Sequence, residues 1–128
     1  MKLGYNLLYV SNVSETMDFY ESAFDLEKGF LHPEGDYGEM VTGETKLGFV
    51  SHKLASSHGF SYRKQTKADL PSFEIGFVTE NVQKAYDKAL DRGAKSIKPP
   101  ETKPWGQTVS YVQDNNGFLV EICSPVAI

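Results

Sequence analysis

Cysteine is almost missing from this chain: Cys123 is the one thiol in 128 residues. That excludes an intramolecular disulfide and a cysteine-built metal cluster. Its place in the apolar run FLVEIC predicts a buried, inert side chain rather than a nucleophile. No stretch approaches the roughly 20 consecutive apolar residues of a membrane span. The opening MKLGYNLLYV has neither the apolar core nor the small-residue cleavage site of a secretory leader. These absences lead to the expectation of a cytoplasmic protein with no membrane partner. Positive charge is also scarce, with 13 Lys and Arg against 17 Asp and Glu and a net charge of −4. A nucleic-acid partner is not expected, because its basic footprint is missing. The basic residues between Lys53 and Lys67 form a local excess, read as a solvated loop. There is no Ser-His-Asp order, no phosphate-cradling glycine loop and no dinucleotide fingerprint.

What the chain does contain is one pattern written twice. LGYNLLYV (Leu3–Val10) reads as a strand buried largely on both faces, and Ser11 and Asn12 break it. Ser14 then caps a helix whose Val13, Met17, Tyr20 and Phe24 recur at helical spacing. Strands are expected near Leu26–His32, Tyr37–Thr42 and Thr45–Ser51, with turns at Gly35–Asp36 and Gly43–Glu44. The second half repeats the order. FEIGFVT (Phe73–Thr79) is strand-like, and Asn81 caps a helix with the stripe Val82, Tyr86, Ala89 and Leu90, ended by Gly93. Strands follow near Lys95–Lys98, Gln107–Gln113 and Phe118–Cys123, and the Asn-Gly step of DNNG joins the last two as a hairpin.

Two matches set the repeat at an offset of 68: YNLLYVS from Tyr5 with FEIGFVT from Phe73, and YGEMV from Tyr37 with WGQTV from Trp105. The chain is therefore expected to be one α+β domain of two βαβββ modules. Module one covers about 1–52, a connector covers 53–71, and module two covers about 72–128. Each module alone is too small to bury its own sheet face. The connector has no periodicity, and Phe60 and Tyr62 make it a candidate flap over an apolar pocket. His32 and His58 read as surface residues.

YVSNVSETMDFYESAF (Tyr9–Phe24), VTENVQKAYDKALDRGAK (Val78–Lys95) and KPWGQTVSYVQDNNGFLVEICSP (Lys103–Pro125) resemble the vicinal oxygen chelate superfamily, which includes glyoxalase I, extradiol dioxygenases and bleomycin-binding proteins. The resemblance implies tandem modules forming a cupped eight-stranded mixed sheet, commonly in a homodimer. It also implies metal-ligand positions on the first and last strands of each module. These fall on Tyr5 and Phe73, and on Gly48 and Glu121. Only Glu121 is an ordinary ligand, and one carboxylate does not hold an ion. No cofactor is therefore expected. The alternative is a divalent ion in a shifted site, with Glu121 joined by His52, which shares strand parity with Gly48, or by Glu74.

The remaining candidates are Glu121 as a general base, its pKa raised by burial, and a ligand pocket of Tyr5, Tyr37, Phe49, Phe73, Trp105 and Gln107. Trp105 either stacks on a planar ligand or packs as core, and Gln107 orients the ligand by hydrogen bonds. The leading expectation is a small-molecule binder without the superfamily's metal. The alternative is a lactoylglutathione lyase-type enzyme, metal-dependent or using Glu121 as base.

Overall fold

The computed structural model describes residues 1–126, and these form eight strands and three helices. The chain divides into two compact units, Met1–Gln65 and Thr66–Ile128. In the first, β1 (Tyr5–Val10) leads to α1 (Val13–Phe24), then to β2 (Glu27–Leu31), β3 (Tyr37–Val41), β4 (Lys46–Ser51) and the short α2 (His52–Ser56). In the second, β5 (Glu74–Val78) leads to α3 (Val82–Asp91), then to β6 (Lys95–Thr102), β7 (Thr108–Gln113) and β8 (Leu119–Cys123). The two four-stranded sheets have the same order, β1-β4-β3-β2 and β5-β8-β7-β6. In each the first strand runs parallel to the last, and the other neighbours are antiparallel. Two tandem βαβββ modules are thus the architecture. Among the described residues, no helix is long and apolar enough to cross a membrane.

Each helix covers one face of its own sheet. Val13, Met17, Tyr20 and Ala23 of α1 are buried together with Leu8, Val10, Met40, Leu47 and Phe49. Val82, Tyr86 and Ala89 of α3 are buried, as are Val112, Val120 and Ile122. β1 is not buried on both faces as expected, because Tyr5 and Leu7 stay 59% and 45% exposed while Leu8 and Val10 are buried. Alternation on a one-sided sheet accounts for this.

Two local expectations need correction. Asn12, not Ser14, caps α1: its extended backbone lets the side chain accept from the Glu15 amide. Asn81 does the same for α3 through the Lys84 amide. Strand β6 runs on through Pro99 and Pro100 to Thr102. It lies at a sheet edge and its register shifts twice against β7, which is where a strand tolerates residues that lack an N–H.

Candidate functional site

The caps Asn12 and Asn81 lie 69 positions apart and start equivalent helices. They therefore correct the repeat offset of 68 by one residue. Tyr5 stands seven residues before its cap, and so does Glu74, so the module-two partner of Tyr5 is Glu74 and not Phe73. Phe73 precedes β5 and lies 46% exposed. The second match fails as well. Tyr37 lies inside β3, whereas Trp105 sits in the turn before β7.

The face of module one opposite α1 is built from alternate residues. Register places Leu7 beside Gly48 and Gly48 beside Glu39, with Tyr9, Val50 and Tyr37 in the next row. α2 and the connector cover that second row. The rings of Tyr9 and Tyr62 meet edge to face at 4.9 Å, and Val50 is buried. The rest of the face stays open. Gly48 lets the neighbours close in: a Cβ there would lie 2.7 Å from Leu7 Cδ2 and 2.9 Å from Tyr37 Oη, so both side chains would have to shift. The Tyr37 ring thus lies against the bare backbone of Gly48, and its hydroxyl donates to Glu39 Oε2 at 2.6 Å. Burial first, and the bond to Glu39 second, push the Tyr37 phenol well above the ordinary tyrosine range. The phenol therefore stays protonated and acts as donor to the carboxylate.

Module two carries a related face. Register places Gly76 beside Glu121 and Glu121 beside Tyr111. Gly76 leaves room, since a Cβ there would lie 3.6 Å from Glu121 Oε2. Glu121 is partly buried and hydrogen-bonded to Glu74; burial, that bond and the charge of Glu74 together raise its pKa to about 7. Burial, with Glu121 next, also raises the Tyr111 phenol. A carboxyl group poised near neutrality can hold or accept a proton at ordinary pH, which suits general acid–base chemistry. Each module thus sets one carboxylate across from a glycine on the face its helix leaves uncovered.

Of the other predicted residues, only Gln107 reaches one of these faces, at its Cys123 end. Phe49 is fully buried on the helix side, its ring 4.9 Å from Tyr20, so it is core and not pocket. Trp105 is 58% exposed and donates to Gln107 Oε1 at 2.8 Å. Gln107 in turn donates to the Ser124 carbonyl at 2.9 Å, which braces β7 against the chain after β8. His52 begins α2 and does not extend β4, so it does not share strand parity with Gly48. Its Nδ1 lies 2.7 Å from the Tyr62 hydroxyl with the rings stacked, and burial, assisted by Lys64, lowers its pKa. Cys123 is buried, its thiol raised by burial and directed at the Phe77 carbonyl. Glu39 was missed by sequence reasoning, although its position two residues after Tyr37 in a strand puts both on one face.

The described residues do not supply the donor set of a zinc or calcium site. The ligand positions implied by resemblance become Tyr5, Glu74, Gly48 and Glu121, which offer two carboxylates, one phenol and no side chain. Among the described residues, no three His, Cys, Asp or Glu side chains are grouped to hold a metal. The two carboxylates, both in module two, fall short of the three protein ligands of a catalytic zinc site and of the six to eight oxygens of a calcium site.

The profile of a family described as a glyoxalase-like domain matches residues 3–127. Protein YraH of Bacillus subtilis (strain 168) is 29% identical over 124 residues, covering 95% of this chain and 97% of YraH. Phenazine antibiotic resistance protein EhpR of Enterobacter agglomerans is 28% identical over 124 residues, covering 91% of this chain and 87% of EhpR. The fold is shared with a glyoxalase-related enzyme from Fulvimarina pelagi, with a TM-score of 0.84 at 16% identity, covering 98% of this chain and 88% of that one.

Proposed function

The chain belongs to the glyoxalase-like domain family, and on that footing we propose that it binds a small planar or amphipathic molecule on the sheet faces opposite its helices, without a divalent metal. The observation that carries this reading is the open face of module one. There Tyr5 and Leu7 are exposed, and Gly48 between the strands is covered by the side chains of Leu7 and Tyr37, which leaves a low apolar surface. Exposed aromatic and aliphatic groups with a few convergent polar atoms are what a flat organic ligand requires. The name of EhpR supplies a chemical class to begin with, the planar tricyclic phenazines.

The test is equilibrium dialysis of the purified protein against phenazine in the presence of a strong chelator. Saturable binding in the micromolar range, unchanged by the chelator, is expected. Absence of saturable binding, or binding that appears only when a divalent ion is added, would overturn the reading.

A further inference from the structure

We infer that the Tyr37–Glu39 pair makes the module-one face selective for a planar ligand bearing a positive charge or an N–H donor, and against an anionic one. This rests on the proposed binding of a planar molecule to that face and specifies the ligand's polar chemistry. Three observations lead to it.

First, the pair is built and not incidental. Tyr37 lies across β4 at Gly48, where a Cβ would crowd Tyr37 Oη and Tyr37 Cε1, at 2.9 and 3.2 Å, so the ring sits closer to the strand than it could beside a larger residue. Second, the direction of the hydrogen bond fixes what the pair offers. The hydroxyl proton of Tyr37 is committed to Glu39 Oε2 at 2.6 Å, so the phenol oxygen shows only lone pairs outward. The ionised Glu39 carboxylate is an acceptor at both oxygens, and the phenol satisfies Oε2 alone. The pair therefore presents acceptors and negative charge, with no donor to spare.

Third, the charge is partly buried and sits among apolar neighbours. Tyr37 and Glu39 are both half-buried, and Glu39 shares a cross-strand row with Leu7 and Gly48. A charge in such surroundings is screened less than one in open water, and it is satisfied best by an opposite charge or a strong donor. Lys46, on the same strand as Gly48 and paired with Tyr5, is the basic residue of this face; among the described residues, no ion pair joins it to Glu39. An anionic ligand laid over Leu7 would bring its charge toward Glu39 with no donor from the pair to receive it, and only one whose charge lay at the Tyr5 end would reach the Lys46 ammonium instead.

The experiment measures three probes on one tricyclic frame at pH near neutrality and low salt: the aminoacridinium cation, neutral acridine and acridine carboxylate. Dissociation constants are compared for the wild type and for Glu39→Gln, after circular dichroism and thermal unfolding have shown that the variant is folded. The cation should bind more than about tenfold tighter than the carboxylate, with neutral acridine between them. Glu39→Gln should collapse the cation-to-neutral ratio, and added salt should shrink it in the wild type. Tyr37→Phe, which keeps the carboxylate, should preserve the preference for the cation. Equal binding of cation and anion, or a ratio unchanged in Glu39→Gln, would overturn this inference while leaving planar-ligand binding intact. If none of the three probes and no phenazine binds, it is the binding reading itself that fails.

Discussion

With Glu74 beside it and part of its surface taken from water, the Glu121 carboxyl keeps its proton up to about pH 7 in the folded protein, against an ordinary value of 4.5. Between those two values the native state binds more protons than the unfolded chain, so stability falls as pH rises through that window. Melting temperature should therefore decline from about pH 4.5 to about pH 7 by an amount that Glu121→Gln removes, because the amide does not titrate. An identical slope in wild type and variant would show that the carboxyl is not held in this way. Glu121 was legible at the sequence level, as an acid in an apolar strand at a position the resemblance marks. Its partner Glu74 was legible only as one of two alternatives, beside His52. Glu74 was misplaced because the repeat was aligned on strand residues, where a shift of one exchanges the two faces of a sheet. The caps Asn12 and Asn81, whose side chains do a specific job, carried the correct offset. Glu39 was hidden for a different reason: an exposed-looking acid in a short strand gains meaning only when the neighbouring strand supplies a glycine opposite it.

At the β7–β8 connection the turn DNNG forms as its composition suggests, and the reason lies in Asp114. Its buried carboxylate accepts from the amides of Asn116 and Phe118, which closes the loop, and Gly117 takes a left-handed φ of 100°. What composition does not reveal is that the connector passes directly over this turn. Any Cβ on Gly117 would collide with the Thr66 carbonyl, and Gln113, 2% exposed, donates to the carbonyls of both Asp69 and Gly117. Gly117→Ala is expected to lose more than about 1 kcal/mol of unfolding free energy, since it combines an unfavourable φ with a backbone clash. Urea unfolding measures this, and a loss below a few tenths of a kcal/mol would mean that the connector is not seated there. The earlier part of the connector is likewise held, with Tyr62 stacked on His52 and packed against Tyr9. The absence of hydrophobic periodicity in 53–71 signalled a loop. It could not signal these anchors, which are single side-chain contacts from a distant strand and a turn.

Over the whole chain, two units of closely similar topology follow one another, and each ends its sheet on its own first strand. Strands β1 and β5 each have one hydrogen-bonded neighbour in their sheets, and Leu7, Val41 and Val78 are 45%, 47% and 64% exposed. Open edges and exposed apolar strand residues favour association, and a homodimer is the proposed assembly. Sedimentation at micromolar concentration should give twice the chain mass of 14.3 kDa; a monomer would refute it. The amino-acid sequence by itself determined the order of the eight strands and of α1 and α3, the duplication and the family, though not the short α2, because hydrophobic period, helix caps and turn residues are local properties of the chain. Which residues share an open face was decided only by the tertiary structure. Strand register brings Gly48 against Glu39 and Gly76 against Glu121 across gaps of 9 and 45 residues, and no local pattern records such a pairing.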